Sequence, residues 1–252
     1  MPRRLRIESM GYHHVYNRGV AKSLVFLDDQ DKAKFIELLA LVTKEFKFNI
    51  HSFCLMNNHY HLLVENKREN LSAGMRQLNA QYASYFNKRH DRVGHLWQDR
   101  FKSSYITDAN YLFTLFKYIE SNPIKASLSS KVGEYLYCAT YSILRDAVPS
   151  FLQNSFVLRD YHTKELFELL SIPMSELEYE KVALLHKTRF KKENDTFVSL
   201  HQETLPQHFA TVQGKLERNH AIKKAFEDGY TKTQIAKFLD LSVAGVSKIL
   251  KS

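Results

Sequence analysis

The chain has 252 residues, a net charge of +9 and 44% hydrophobic residues, a composition that suits one large or two smaller globular domains and excludes a disordered chain. The basic balance indicates a polyanionic partner such as a nucleic acid, and scattered solubilising lysines are the alternative. No apolar run approaches the ~18 residues of a membrane span and the first residues lack the apolar stretch of a secretory signal, so we expect a cytoplasmic protein with no membrane partner.

Residues 1–125 alternate between strand-like and helix-like segments. The strand-like segments are YHHVYNRGV (12–20), NIHSFCLM (49–56), HYHLLVE (59–65) and FKSSYIT (101–107), and helix-like segments begin near residues 28, 70 and 108. We expect Asp108 to cap the last of these helices and Pro123 to end it. The order β-α-β-β-α-β-α predicts an α+β fold, in which a ferredoxin-like βαββαβ domain carries one added helix.

The rest of the chain predicts two further regions. Residues 128–217 contain helix-like stretches joined by polar connections such as KKENDT (191–196), so we expect a mostly helical connecting region between a first domain of residues 1–127 and the C-terminal module. Residues 218–252 have the apolar spacing of two crossing helices with a turn at Ser242, which predicts a DNA-binding helix-turn-helix. The expected DNA contacts of this module are Ser247, Lys248 and Lys251. A small helical protein-binding bundle is the alternative.

A pair of histidines marks the third predicted strand. His59 and His61 are two residues apart, so they project from one face of the strand while Tyr60 projects from the other. Two imidazoles on one face can bind a divalent cation. In the last predicted helix Tyr118 and Asn122 are one turn apart, so an amide oxygen could add a ligand and the tyrosine hydroxyl could attack a phosphodiester. The alternatives are surface or core histidines, a packed tyrosine, and an asparagine that only ends the helix.

Three ordered segments carry a resemblance to a known family. NNHYHLLVE (57–65) resembles the His-hydrophobic-His motif of the HUH endonucleases. GHLWQDRFKS (94–103) and YLFTLFKYIESNPIKASL (111–128) resemble the single-tyrosine transposases of that superfamily, especially the REP-associated tyrosine transposases. The resemblance runs from about residue 12 to residue 127, half of the chain.

The resemblance implies a transposase, that is, a metal-dependent single-stranded DNA endonuclease and strand transferase acting through a 5′-phosphotyrosine intermediate at hairpin or palindromic repeat sites. It implies Mg²⁺ or Mn²⁺ bound by His59, His61 and Asn122, with Tyr118 as the nucleophile. Asn122 stands where insertion-sequence relatives commonly have glutamine, and Asp99 where glycine is usual. The implied partner is single-stranded or hairpin DNA, with no nucleotide cofactor, and a monomer is favoured over the homodimer of insertion-sequence relatives. A DNA-bound protein of this kind would be associated with the nucleoid.

Basic residues surround the single tryptophan, and single strands are held by base stacking on aromatic rings together with cations. The expected DNA contacts are Arg89, Arg92, Trp97, Arg100 and Lys102. A solvated basic loop with Trp97 as a core anchor is the alternative. Arg3, Arg4 and Arg6 form an N-terminal basic arm that could also reach DNA.

Two other functions fit the same residues. One is a non-catalytic nucleic-acid-binding regulator with an inherited transposase fold. The other is a metallohydrolase that activates water on a small substrate, although the sequence lacks the further His or Asp clusters typical of such sites.

Overall fold

The chain folds as two compact units, residues 1–185 and residues 186–252. The computed structural model describes residues 7–187, 190–193, 196–199, 205–210, 212–228 and 230–250. Within these ranges no helix combines the length and the apolar character needed to cross a bilayer. The boundary between the units differs from the predicted boundary at residue 127, which lies inside the first unit.

The first unit alternates strands and helices in the predicted order before a run of short helices. Its strands are β1 (Gly11–Arg18), β2 (Phe48–Met56), β3 (His59–Asn66) and β4 (Lys102–Ile106). Its helices are α1 (Asp29–Phe46), α2 (Leu71–Arg89), α3 (Leu112–Glu120), α4 (Asn122–Lys125), α5 (Ala139–Ile143), α6 (Phe156–Asp160), α7 (Thr163–Ser171) and α8 (Glu176–Lys187, which extends two residues beyond the unit). Short 3-10 turns lie at Val20–Lys22, Ala109–Tyr111 and Ser150–Leu152.

The four strands form one sheet in the order β2-β3-β1-β4, and each neighbouring pair is antiparallel. This confirms the α+β class and a four-stranded antiparallel sheet. The register places Tyr16 beside His61 and Arg18 beside His59. Because paired residues in an antiparallel sheet project from the same face, these four side chains belong to one face of the sheet.

Helices α1 and α2 cover the opposite face. Asp28 caps α1 by accepting a hydrogen bond from the Asp31 backbone nitrogen at 3.1 Å, and the acidic residues of the first turn suit the positive end of the helix dipole. Tyr60 is fully buried under these helices, and its ring lies 4.8 Å from that of Phe35. The expectation that Tyr60 faces away from the two histidines is therefore confirmed.

The helix predicted over residues 108–121 is divided into a 3-10 turn at Ala109–Tyr111 and the helix α3, and the short helix α4 follows directly after it. Asp108 caps a 3-10 turn through the Asn110 backbone nitrogen at 2.9 Å, and α3 begins only at Leu112. As expected, the helix that carries Tyr118 ends before Pro123, at Glu120, and Pro123 itself lies in the first turn of the short helix α4. A proline is tolerated there since its missing N–H has no partner to lose. The Ile119 carbonyl instead accepts a hydrogen bond from the side-chain amide nitrogen of Asn122 at 3.3 Å.

The segment after α4 is attached to the outer edge of β2. The Leu55 backbone nitrogen donates to the Tyr137 carbonyl at 2.9 Å, and the Tyr135 hydroxyl donates to the Leu55 carbonyl at 2.8 Å. Further along, the Phe156 backbone nitrogen donates to Nδ1 of His51 at 3.1 Å. These bonds explain why the predicted connecting region divides: its first part belongs to the unit that contains the sheet.

One carboxyl group joins this segment to α3. Glu120 is buried and accepts hydrogen bonds from the Ser52 hydroxyl at 2.6 Å, the Thr140 hydroxyl at 2.6 Å and the Thr140 backbone nitrogen at 3.0 Å. Burial is the largest influence on this group and raises the pKa of Glu120 to about 7, while the three donors act in the opposite direction. Glu120 therefore connects α3, β2 and α5 through one side chain.

The residues of the second unit that the structure describes are helical apart from one short hairpin. Its elements are β5 (Phe190–Glu193), β6 (Thr196–Ser199), α9 (Leu205–Phe209), α10 (Lys215–Glu227), α11 (Lys232–Phe238) and α12 (Val243–Ile249). The two strands pair antiparallel across residues predicted as a polar connection, which corrects that expectation. The core of the unit includes Ile222, Ile235 and Val246, and Ser242 caps α12 through the Gly245 backbone nitrogen at 3.0 Å. The reading of α11 and α12 as a helix-turn-helix stays a prediction.

Candidate functional site

The two predicted metal-binding histidines lie together on the sheet face that α1 and α2 leave uncovered. Their rings are 5.1 Å apart and nearly perpendicular. His61 is buried and His59 is half-buried. His59 is the first residue of β3, and its side chain is more exposed to solvent than that of His61.

Helix α3 carries Tyr118 onto the same face. The Tyr118 ring meets the His61 ring edge-on at 6.1 Å and the His14 ring edge-on at 6.0 Å. The side chain is half-buried, so the ring packs while part of it stays accessible. Of the site residues predicted from the sequence, the structure thus brings Tyr118 and His61 into direct proximity.

Asn122 lies one turn after Tyr118, where the helical path changes from α3 to α4. Its amide nitrogen donates to the Tyr118 carbonyl at 2.8 Å and, more weakly, to the Ile119 carbonyl at 3.3 Å. Both bonds use the nitrogen, so the amide oxygen is the atom that would ligate a cation. The same bonds fix the side chain against the backbone of the tyrosine residue.

His14 is a site residue that the sequence analysis missed. It is fully buried, and its Nε2 lies 2.9 Å from Nδ1 of His61, with the two rings stacked 5.1 Å apart. A hydrogen bond to one imidazole nitrogen sets the tautomer and orientation of the ring, and so decides which nitrogen can act as a ligand. His14 is therefore placed to orient His61.

A second missed pair lies beside the histidines on β1. The Tyr16 ring is 5.7 Å from the His61 ring, which makes Tyr16 a second tyrosine near the site. Arg18 is exposed, and its Nε donates to Oε1 of Gln98 at 2.5 Å. The sequence does contain a pattern that indicates His14, Tyr16 and Arg18. They alternate along β1, the strand that pairs with the histidine strand.

Local electrostatics favour the neutral forms of His59 and Tyr118. Burial lowers the pKa of His59, and the positive charge of Arg18 lowers it further, which favours the neutral imidazole that can bind a cation. Burial raises the pKa of Tyr118, and the neighbouring Tyr16 and Tyr179 add to the increase. The phenol of Tyr118 is therefore protonated at pH 7 and must lose its proton before it can act as a nucleophile.

The donor set fits a divalent cation with ligand positions to spare. Nδ1 of His59 lies 2.5 Å from the amide oxygen of Asn58, so this nitrogen holds the proton and Nε2 presents the lone pair. Two imidazoles and the oxygen of Asn122 would leave the other positions to water or phosphate oxygens. Within the described ranges no cluster of three or more His, Cys, Asp or Glu residues could hold a metal, so His59 and His61 need a non-acidic third ligand. Mixed nitrogen and oxygen donors suit Mn²⁺ better than Mg²⁺.

Basic side chains continue the site toward β4. Lys102 pairs with Tyr16 across the sheet, and its ammonium lies 6.0 Å from the centre of that ring. Arg18, Arg100 and Lys102 together border a small cavity of about 110 Å³ at the end of β1. All three are exposed. The predicted cations Arg100 and Lys102 therefore lie near the histidine face, and Arg18 joins them.

Arg89 and Arg92 have structural partners that the sequence analysis did not foresee. Arg89 forms ion pairs with Asp28 at 2.7 Å and with the buried Asp31 at 2.5 Å, which joins the end of α2 to the start of α1. Arg92 donates to the Asn87 side chain at 3.2 Å and holds the loop after α2. Contact of either arginine with DNA stays a prediction.

Trp97 is half-buried and anchored. Its Nε1 donates to the Asn79 carbonyl at 3.0 Å, and its ring meets that of Tyr60 at 5.6 Å. These contacts are those of the core-anchor alternative, and base stacking on Trp97 stays a prediction that would use the remaining exposed part of the ring.

The residues expected to contact DNA from the second unit are only partly described. Lys248 is exposed and Ser247 half-buried on α12. Lys251 and the N-terminal Arg3, Arg4 and Arg6 lie outside the described residues.

The fold and the site define an α+β protein that places a histidine pair, a tyrosine and a row of cations on one face of an antiparallel sheet. The family model described as "Transposase IS200 like" matches residues 7–122, the segment that contains the sheet and these side chains. This part of the chain is therefore similar to the IS200-like transposases, and the match covers slightly less than half of the chain.

Solved structures with distant similarity to the chain include two transposases. A REP-associated tyrosine transposase bound to a REP hairpin is 16% identical, with a TM-score of 0.48 and coverage of 60% of this chain and 88% of that chain. A putative transposase from Deinococcus radiodurans R1 is 14% identical, with a TM-score of 0.34 and coverage of 48% and 97%. No protein of curated function matches the chain.

Proposed function

We propose that the protein is a metal-dependent single-stranded DNA endonuclease and strand transferase that acts through a 5′-phosphotyrosine intermediate. The observation that carries the proposal is the edge-on packing of Tyr118 against His61, in the segment that matches the IS200-like transposases. A phenol held beside imidazoles that can bind a cation is suited to nucleophilic attack on a phosphodiester. The proposed substrate is hairpin or palindromic DNA with a single-stranded flank.

In the proposed reaction the Tyr118 oxygen attacks the phosphorus of the scissile phosphodiester. A bond forms between the phenol oxygen and phosphorus, and the bond from phosphorus to the 3′ oxygen breaks. The proton lost by the phenol balances the proton gained by the leaving 3′ oxygen. The strand that begins with the 5′-phosphate remains attached to Tyr118, and a 3′-hydroxyl attacking this phosphotyrosine reverses the step and joins two strands without ATP.

His59, His61 and Asn122 would hold the cation. A bound Mn²⁺ or Mg²⁺ would withdraw charge from the phosphate oxygens and favour the phenolate. His14 would keep His61 in the ligating orientation through its 2.9 Å contact. The hydrogen bonds of Asn122 to the backbone near Tyr118 would keep the distance between its amide oxygen and the nucleophile constant.

The DNA strand is proposed to cross the sheet toward β4. The outer edge of β2 is covered by the segment around Tyr137, whereas Arg18, Arg100 and Lys102 border the other end of the site. Phosphate contacts from such exposed cations give salt-sensitive binding. The fold proposed for this domain is ferredoxin-like, and α11 and α12 are proposed as a helix-turn-helix that adds affinity for the hairpin stem.

The test is a covalent-adduct assay. The full chain is incubated with a labelled hairpin DNA carrying a single-stranded flank, with Mn²⁺, and denaturing electrophoresis separates protein-bound DNA from free DNA. We expect an adduct with the native sequence and none with Tyr118→Phe, which removes one oxygen and keeps the packing ring. The adduct should also disappear with EDTA.

Tyr16→Phe and Tyr60→Phe are the matched controls. Tyr16 lies on the same face near His61, and Tyr60 faces the core, so both variants should still form the adduct. Mass spectrometry of the digested adduct should place the nucleotide on Tyr118, and a nucleotide on Tyr16 would contradict the assignment. A shifted band without any covalent product would favour a non-catalytic DNA-binding protein.

A further inference from the structure

A cavity lies beside the proposed nucleophile in the part of the chain that follows the family match. It has a volume of about 640 Å³ and lies between α4 and helices α7 and α8. Its walls are largely apolar, with Ile124, Phe167 and Met174 among them, and the charged side chains that line it are Lys125 and Lys131. A volume of this order is typical of a small-ligand site.

Tyr179 connects the cavity to Tyr118. The Tyr179 ring lines the cavity and meets the Tyr118 ring edge-on at 6.4 Å. On its other side, the ammonium of Lys125 lies 4.7 Å from the centre of the Tyr179 ring. An aromatic ring and a cation therefore stand next to the residue whose oxygen would attack the phosphodiester.

The position of Tyr179 is fixed by its neighbours in α8. Ser175 and Glu178 exchange hydrogen bonds at the start of the helix, with the Ser175 backbone nitrogen donating to Glu178 at 2.7 Å. The carboxylate of Glu178 also forms an ion pair with the nearly buried Lys117 of α3 at 3.5 Å. This ion pair attaches α8 to the helix of the nucleophile and offsets the acidic charge beside the cavity.

We infer that this cavity binds one nucleotide of the single-stranded DNA flank, the one next to the scissile phosphate. The base stacks on Tyr179 within the apolar walls. The phosphate forms an ion pair with the ammonium of Lys125, which is exposed and can move away from the Tyr179 ring. The inference rests on the proposed function and adds a specificity-determining residue from outside the family match. Lys131 provides a second cation at the cavity.

The inference is tested by combining protein variants with DNA that lacks single bases. Binding of the fluorescein-labelled hairpin is measured by anisotropy with EDTA present and in a Tyr118→Phe background, so that no cleavage occurs. An abasic residue is moved through each position of the flank. Stacking of one base corresponds to a roughly 5- to 150-fold change in affinity. Tyr179→Ala should lose affinity in this range for intact DNA, and Tyr179→Phe should keep it.

The decisive result is the combination. At one flank position the abasic DNA should bind the protein with native Tyr179 as weakly as intact DNA binds Tyr179→Ala. Combining that abasic DNA with Tyr179→Ala should weaken the affinity by less than about a further twofold. Equal, additive losses at every position would overturn the inference. Tighter binding by Tyr179→Ala would overturn it as well, since α8 would then obstruct the site.

Two further comparisons separate the causes. Tyr141→Ala is the matched control, because the Tyr141 ring also lies under a cation, Arg145 at 3.9 Å, but does not line the cavity. This variant should bind intact DNA normally. If the protein with native Tyr179 does not bind the hairpin DNA at all, the proposed function fails. If it binds and Tyr179→Ala has no effect, only the cavity assignment fails.

Discussion

Replacing Glu120 by glutamine should flatten the dependence of stability on pH. The pKa of Glu120 is raised to about 7 from its ordinary value of 4.5, mainly by burial. Its contribution to stability is therefore fully present below pH 4.5 and is lost as the pH rises to about 7. At 1.36 kcal/mol per pH unit this loss amounts to about 3 kcal/mol. The side-chain oxygen of glutamine can accept hydrogen bonds from Thr140, and the Ser52 hydroxyl can rotate to accept one from the side-chain nitrogen.

The assay is urea unfolding of both proteins at half-unit steps between pH 4.5 and 8. The difference in unfolding free energy between the proteins isolates Glu120 from other titrating groups. His51 also titrates in this range, because burial lowers its pKa to about 4 and its contribution to stability is lost as the pH falls below 6.5. This contribution is the same in both proteins and cancels in the difference. A difference that stays constant across the range would refute the burial argument for Glu120.

Three further predictions concern other residues. Arg89→Met should lower the midpoint of urea unfolding, because Arg89 neutralises the buried Asp31; an unchanged midpoint with reduced DNA affinity would contradict the structural role and favour the predicted DNA contact. His14→Phe keeps a stacking ring and removes the partner of His61, so calorimetry should show Mn²⁺ affinity 10- to 100-fold weaker than with His14→Gln. Lys248→Gln should reduce the slope of log affinity against log salt by about 0.9 for duplex stem DNA, and an unchanged slope would exclude a phosphate contact.

The strands and long helices were predictable because each carries a periodic apolar pattern of its own. The two-residue alternation around His59 and His61 fixed their common face, and the four-residue spacing placed Asn122 one turn from Tyr118. Both features depend only on local backbone geometry. The short helix α4 that contains Pro123 was not predicted, because the amide of Asn122 satisfies the Ile119 carbonyl there and this bond leaves no periodic pattern in the sequence.

Long-range partners account for what the sequence analysis missed. Arg89 pairs with Asp31 across the full length of two helices and two strands, and no local pattern links these positions. His14 reaches His61 only because β1 pairs with β3 in one particular register. The attachment of residues 135–156 to β2 combines the backbone bond from Leu55 to Tyr137 with separate side-chain bonds of Tyr135 and His51. These bonds follow no periodic pattern, so the sequence carries little information about them.

The backbone bond between Leu55 and Tyr137 changes what kind of strand β2 is. All but one of its nine residues are buried, and a long apolar strand with an open side is a template on which a second molecule can add its own strand. The segment around Tyr137 occupies that side. A fragment cut at the end of the family match, residue 122, would keep the histidines and the tyrosine but expose this template and leave Glu120 without its Thr140 donors. The smallest stable fragment that contains the site is therefore expected to be longer than the family match, and a fragment that ends at residue 122 is expected to self-associate by strand addition.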